Sequence, residues 1–315
     1  LNISKRQVNY FSSFVAIDSG SQMSNLFSEK FDANNDNKIK IRELIENRIN
    51  KIKNYTPKIG VFGVTGVGKS SLCNALFGKE ITKVSDVHAC TRQIHEIKIG
   101  FDENGGRGII LLDVPGLGEN LERDNEYKKL YSDIIEDLDL VIWVIKADDR
   151  SYSVAEEAYK NILLPHLDRC PVFFVISQID KINPIREWDE ANNKPGPTQE
   201  KNILEKEKSI SEAFNVSFRN ISVVSSTDNY NVSETLEKII EILPNEKKYS
   251  VFREAKENLK NEKMEENAEK GVWQSVKDWV GNAWNANKEL ITGILSSSII
   301  GTASKISKKL LSFFK

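Results

Sequence analysis

Gly63-Val64-Thr65-Gly66-Val67-Gly68-Lys69-Ser70 decides how the rest of this chain reads. The stretch fits G-x-x-x-x-G-K-S/T, and its flanks fit the same reading. Before it, Lys58-Ile59-Gly60-Val61-Phe62 is a short β-branched and aromatic run, expected as a buried strand. After it, Ser71-Leu72-Cys73-Asn74-Ala75-Leu76-Phe77 places apolar residues at helical spacing and closes on Gly78. Strand, glycine loop and helix in that order aim backbone N–H groups and a helix N-terminus at one point. Unpaired donors and the helix dipole favour a phosphate there. The expected ligands of a nucleoside triphosphate are therefore Gly63, Thr65, Gly66, Val67, Gly68, Lys69, Ser70 and Ser71. Lys69 would reach the outer phosphates as a catalytic group, and the Ser70 hydroxyl would ligate Mg²⁺.

Downstream, a polar connection from Gly78 to Cys90 runs into Thr91, just before the alternation of Ile94, Glu96, Ile97, Lys98 and Ile99. A threonine between the first helix and the second strand is placed to close on Mg²⁺ and the terminal phosphate. Asn104-Gly105-Gly106 is a hairpin signal. It leads to Gly108-Ile109-Ile110-Leu111-Leu112-Asp113, an apolar strand that ends in Asp113-Val114-Pro115-Gly116. Asp113 is expected to hold the hydration shell of Mg²⁺, and the Gly116 N–H to meet the γ-phosphate. These two signals together point to GTP hydrolysis rather than metabolite phosphorylation.

Leu140-Val141-Ile142-Trp143-Val144-Ile145 is a continuous apolar run, expected as a central parallel strand covered on both faces. Lys146-Ala147-Asp148-Asp149-Arg150 follows at its C-terminal end, the side where open α/β sheets bind ligands. Helices are expected over Leu121 to Leu138, Val154 to Leu167, through Leu204 and Phe214, and over Val232 to Leu243. The strand Val172-Phe173-Phe174-Val175-Ile176 leads into Ser177-Gln178-Ile179-Asp180-Lys181. GTPases carry Asn-Lys-x-Asp at this turn, and a carboxylate at Asp180 is expected to pair, as theirs does, with the N1 and N2 hydrogens of guanine, whereas adenine offers no such donor pair. Gln178 and Ser225, the latter after the strand Ile221 to Val224, complete the expected guanine contacts.

With these elements in order, residues from about 55 to 243 resemble the Era-like branch of the TRAFAC-class GTPases, and in detail the YfjP/YkfA/YeeP group. The residues that carry the resemblance are Gly66 to Phe77, Val84-Ser85-Asp86, Ala89-Cys90-Thr91-Arg92, Asp113 to Gly116, Ile145 to Arg150 and Ile176 to Lys181. In the GTPases at large, Asn and Lys stand where this chain has Ser177 and Gln178. The resemblance makes Thr91 the expected switch threonine. It implies a three-layer α/β/α P-loop NTPase fold with a six-stranded, mostly parallel sheet, and slow hydrolysis of GTP to GDP. Leu117 stands where Ras-like relatives carry a water-positioning Gln, and Gly66 where some Era relatives hold K⁺ with an Asn. A hydrophobic side chain cannot orient water, so turnover is expected to be low until a partner or self-association raises it.

The ends are expected to be helical extensions, with domains at 1–55, 56–245 and 246–315. Asp32, Asn34, Asp36, Lys38 and Glu43 fall at the spacing of an EF-hand loop. Asn37 replaces its turn glycine and Lys40 brings positive charge, so two readings stand: a Ca²⁺ site, or an Asn/Asp-rich turn capping the helix from about Ile41 to Lys53. Residues 245–270 are rich in Lys and Glu and read as a solvated helix or linker. From 271 to 315 apolar residues, tryptophans among them, recur every three or four positions with lysines near the end. That pattern suits a helix at an anionic membrane surface, or one packed on the nucleotide domain or a protein partner. The 315 residues carry a net charge of −2, so overall charge does not indicate nucleic acid. Three scattered cysteines and an opening without a secretory pattern fit a cytoplasmic protein, peripheral on the inner membrane face if the tail binds lipid.

Overall fold

The structure is a computed structural model, and it describes residues 35–64, 66–78, 95–101, 107–115 and 121–281. Its centre is a six-stranded sheet in the order β2-β3-β1-β4-β5-β6. The strands are β1 (Lys58–Phe62), β2 (His95–Ile99), β3 (Ile109–Asp113), β4 (Leu140–Lys146), β5 (Val172–Ser177) and β6 (Ile221–Val223). Among these described strands only β2 runs antiparallel, against β3, and the other strand pairings are parallel. This is the expected α/β architecture. β1 lies between β3 and β4, with Val61 opposite both Asp113 and Ile142. The loop after β1 therefore leaves the sheet beside Asp113.

The apolar run of β4 is shared between two cores by the two-residue period of a strand. Leu140, Ile142 and Val144 face one layer, with Leu72, Leu76 and Phe77 of α2 (Lys69–Phe77) and Leu236, Ile239 and Ile240 of α6 (Val232–Ile242). Val141, Trp143 and Ile145 face the other, with Tyr131 of α3 (Leu121–Ile134) and Phe214 of α5 (Pro197–Phe214). Aromatic rings fill this second layer: Trp143 stacks on Phe174 at 6.1 Å, and Phe174 meets Phe214 at 4.6 Å. The helix after β4, α4 (Ser153–Ala158), widens into a π turn over Tyr159–Leu163, which sets Tyr159 edge-on to both rings.

Two sequence expectations are corrected. First, α1 is one helix over Asn35–Lys53. Positions 36, 38 and 43 of the EF-hand-like pattern thus lie on helical backbone. The Lys38 carbonyl of a Ca²⁺ loop must face the ion, yet in a helix it points along the axis to the next turn. Asp32 and Asn34 lie outside the described residues, and no acidic, His or Cys cluster able to hold a metal occurs among the described ones. Of the set, the structure places Asp36, Lys38 and Glu43 on a helix, and the Ca²⁺ reading is withdrawn. Second, the Lys/Glu-rich stretch after 245, expected as a solvated helix or linker, is helical but not solvated all round. It forms α7 (Asn245–Glu254) and the start of α8 (Glu262–Val280), and Val251, Ala255, Leu259 and Met264 are buried in the core that covers β4. Its charges are solvated on one side only, so composition concealed the apolar stripe.

The chain divides into two compact units. Residues 51–272 form one, which holds the sheet. The described residues 35–50 and 273–281 belong to the other, where Ile45, Ile49, Trp273 and Val276 are buried. No helix of the described residues is long and apolar enough to cross a membrane. The tail beyond 281 lies outside the described residues.

Candidate functional site: a phosphate loop at the sheet edge

The loop after β1 turns on glycines. Gly63, Gly66 and Gly68 have φ of 136°, 82° and 92°, in the region that L side chains rarely adopt. At Gly63 a Cβ would also strike the Val144 carbonyl of β4, so the loop passes directly over the strand. At Gly66 a Cβ would meet nothing within 4 Å, so the loop rims open space. Gly68 ends the turn and starts α2, whose first hydrogen bond runs from Leu72 N–H to Gly68 O at 2.9 Å. The first N–H groups of α2 have no partner within the helix, which suits an anion.

Lys69 and Ser70 occupy the first turn of α2. The Lys69 ammonium donates to Gly63 O at 2.7 Å and stands 3.7 Å from Asp113 Oδ1 at the end of β3. Burial lowers the Lys69 pKa, and the Asp113 carboxylate opposes that shift by favouring the charged form. Lys69, Ser70 and Asp113 line one cleft, floored by Val61, Cys73, Ile97 and Leu111. The Cys73 thiol is pushed up to about 12 by burial and by Asp113, so at neutral pH it is floor and not nucleophile. A serine hydroxyl and a carboxylate from facing elements are hard oxygen donors, which fit Mg²⁺ with waters and phosphate oxygens completing its shell. Ser71 is exposed on the same turn.

On the other side of the loop stands the turn after β5. Ser177 Oγ donates to Val67 O at 2.5 Å, and Gln178 Nε2 donates to Gly66 O at 2.9 Å. Gln178 adopts φ 56°, and Lys181 donates to its Oε1 at 3.0 Å, which orients the amide. Asp180 follows in a 3₁₀ turn (Ile179–Lys181), half-buried. That turn is tied to the end of β6 by Ile179 N–H to Val224 O at 3.3 Å. Ser225 is buried beside it, its hydroxyl donating to Asp228 Oδ2 at 2.7 Å and its carbonyl accepting from Tyr230 N–H. The structure thus gathers Gly63, Gly66, Val67, Gly68, Lys69, Ser70, Asp113 and Gln178 around one loop, with Asp180 next to Gln178. Thr65, Thr91 and Gly116 lie outside the described residues. Sequence reasoning treated Ser177 only as a missing amide. A lone hydroxyl closing a wholly apolar strand was the available signal.

Four similarities bear on this site. A family model described as 50S ribosome-binding GTPase matches residues 58–178. The uncharacterized protein YkfA of Escherichia coli is 37% identical over 236 residues, covering 75% of this chain and 79% of YkfA. The uncharacterized protein YfjP of the same organism is 37% identical over 206 residues, 65% of this chain and 69% of YfjP. GTPase Era of Aquifex aeolicus is 30% identical over 131 residues, 41% of this chain and 42% of that protein.

Proposed function

The chain belongs to the Era-like P-loop GTPase family that includes YkfA and YfjP, and on that premise we propose that it is a slow GTP-hydrolysing switch. One observation carries the reading. Gln178 and Ser177 hold the Asp180 turn against the Gly66–Val67 backbone, so the phosphate loop and the guanine-reading carboxylate act as one rigid unit. Asp180 accepts the two guanine hydrogens, which favours GTP over ATP. The N–H groups of the loop and of the first turn of α2 surround the phosphates, and Lys69 turns from Gly63 O to the β- and γ-oxygens. Ser70 and Asp113 are the residues that would hold Mg²⁺, and the ion would supply neutralisation of charge that develops on the phosphates. On the sequence reading, Thr91 and Gly116, which lie outside the described residues, would be the contacts to the γ-phosphate.

Low turnover follows from Leu117, which cannot orient the attacking water. A partner or a second copy of the chain then supplies the missing group. A turnover assay with GTP and with ATP, using Lys69→Ala as control, tests the whole reading. Slow GTP hydrolysis that Lys69→Ala abolishes is expected. Equal turnover of ATP would overturn the assignment of Asp180, and tight GTP binding with no hydrolysis would leave a nucleotide-dependent scaffold in its place.

A further inference from the structure

The three elements that carry the phosphate site are gripped, at their ends far from it, by one short strap. β1 leads into the loop, α2 begins with Lys69 and Ser70, and β3 ends in Asp113. Arg253-Glu254-Ala255-Lys256, where α7 ends, touches the opposite end of each. The Arg253 guanidinium donates to Tyr55 O, just before β1, and to Gly108 O, just before β3, both at 3.2 Å. It also donates to Lys53 O at the end of α1. Its Nε pairs with Glu254 Oε1 at 2.6 Å, and the same oxygen accepts the Gly108 N–H at 3.1 Å. Two residues on, the Lys256 N–H donates to Leu76 O in the last turn of α2 at 2.9 Å.

The fit is close. The Glu254 carboxylate occupies the place a Cβ would take at Gly100, after β2, and the Lys256 stem does the same at Gly78, after α2. Both glycines also have positive φ, so a side chain is excluded twice over. The side chains of Arg253 and Glu254 are only 17% and 11% exposed. A charge pair so withdrawn from water is held by its backbone partners and gives a defined geometry, unlike a surface pair. α2 is nine residues long, about 13 Å, and a helix of that length moves as a rigid rod. A shift at Leu76 is therefore felt at Ser70.

We propose that Arg253 and Glu254 are positioning residues: the strap sets α2 against β3 so that Ser70 and Asp113 stand correctly for one Mg²⁺, and so couples residues 245–272 to nucleotide affinity. Mg²⁺ demands near-ideal octahedral geometry, which makes its binding sensitive to small displacements of either donor. Linkage is reciprocal, so whatever binds or moves α7 alters nucleotide retention, and nucleotide binding alters α7. The inference rests on the Mg²⁺–nucleotide reading of the site.

Fluorescent GDP bound to the full chain over a Mg²⁺ series reads nucleotide binding and Mg²⁺ requirement separately. Glu254→Ala is expected to raise the Mg²⁺ concentration for half-maximal retention by about fivefold or more, while Glu254→Gln, which keeps an acceptor for the Gly108 N–H, stays within about twofold of wild type. Lys256→Ala bares Gly78 without touching the ion pair; it is expected to shift the requirement in the same direction and carries the test if Glu254→Ala does not fold. An unchanged Mg²⁺ requirement in the folded alanine variants, with nucleotide still bound, overturns the strap as a positioning device. A wild type that binds no GDP at any Mg²⁺ concentration overturns instead the reading of the site.

Discussion

Lys69 shows how a single side chain is placed for the proposed phosphate contact. It is partly withdrawn from water, bonded to the loop carbonyl at Gly63 and kept charged by Asp113, so little reorganisation is needed to meet a phosphate. Lys69→Ala is expected to lower GTP turnover by about 100-fold or more, measured as phosphate release, because the lost ammonium faces charge that grows in the transition state. Ser177 works at one remove. Ser177→Ala leaves Val67 O without its 2.5 Å donor, and a hydrogen bond worth about 1 kcal/mol corresponds to about a fivefold loss of GDP affinity by titration. Glu269, 6% exposed in α8, has its pKa raised to about 7, chiefly by burial and then by Glu265, with Lys53 opposing. A raised carboxyl pKa means the folded state binds the proton more tightly than the unfolded one. The resulting stability is full below the usual carboxylate range and is lost as pH rises through about 7. Thermal melts from pH 5 to about 8 are expected to show a decline in wild type that Glu269→Gln lacks.

At the scale of elements, β4 is the strand on which both layers depend. Trp143 on one of its faces touches the rings of Phe62, Tyr131, Phe174 and Phe214. Trp143→Ala is expected to destabilise the protein by about 3–5 kcal/mol in denaturant titration, since the cavity lies where neighbours from two strands and two helices cannot collapse. α1 shows the opposite case, a pattern overridden by its surroundings. Oxygen-bearing side chains at every second position look like a metal loop in one dimension. The helix from Asn35 to Lys53, with Ile45, Ile49 and Ile52 buried along it, fixes the backbone otherwise. Burial of that apolar stripe is worth more than the turn propensity of a few Asn and Asp residues.

For the whole molecule, the unit that binds nucleotide does not stop where its last sheet helix stops. Val251, Ala255, Leu259 and Met264 lie in the same core as Leu72 and Val144. Buried side chains of the size of Val251, Leu259 and Met264 contribute up to about 1.5–3 kcal/mol each, against a net stability of about 5–15 kcal/mol for a domain. A chain ended after Pro244 is therefore expected to lose cooperative unfolding or to melt well below the full chain in calorimetry. The bonds from Arg253 to Tyr55 and Gly108 span sequence separations of 198 and 145, and they are what that truncation would also remove.

The sequence by itself determined the sheet, the phosphate loop and the turn after β5 that carries Asp180. Each is encoded locally: a two-residue apolar period, glycines required by positive φ, and a carboxylate or lysine at set spacing from a strand end. Tertiary structure alone decided three further things. Ser177 and Gln178 brace the loop, because a serine or glutamine names no partner until the backbone opposite is in place. α7 and the start of α8 belong to the core, because in a charge-rich helix a few apolar side chains on one face show only once that face is covered. And the phosphate loop with which the sequence is first read turns out to be held at its far end by residues nearly two hundred positions away. Hydrogen bonds to backbone carbonyls leave no mark in a sequence, since every residue type offers the same acceptor.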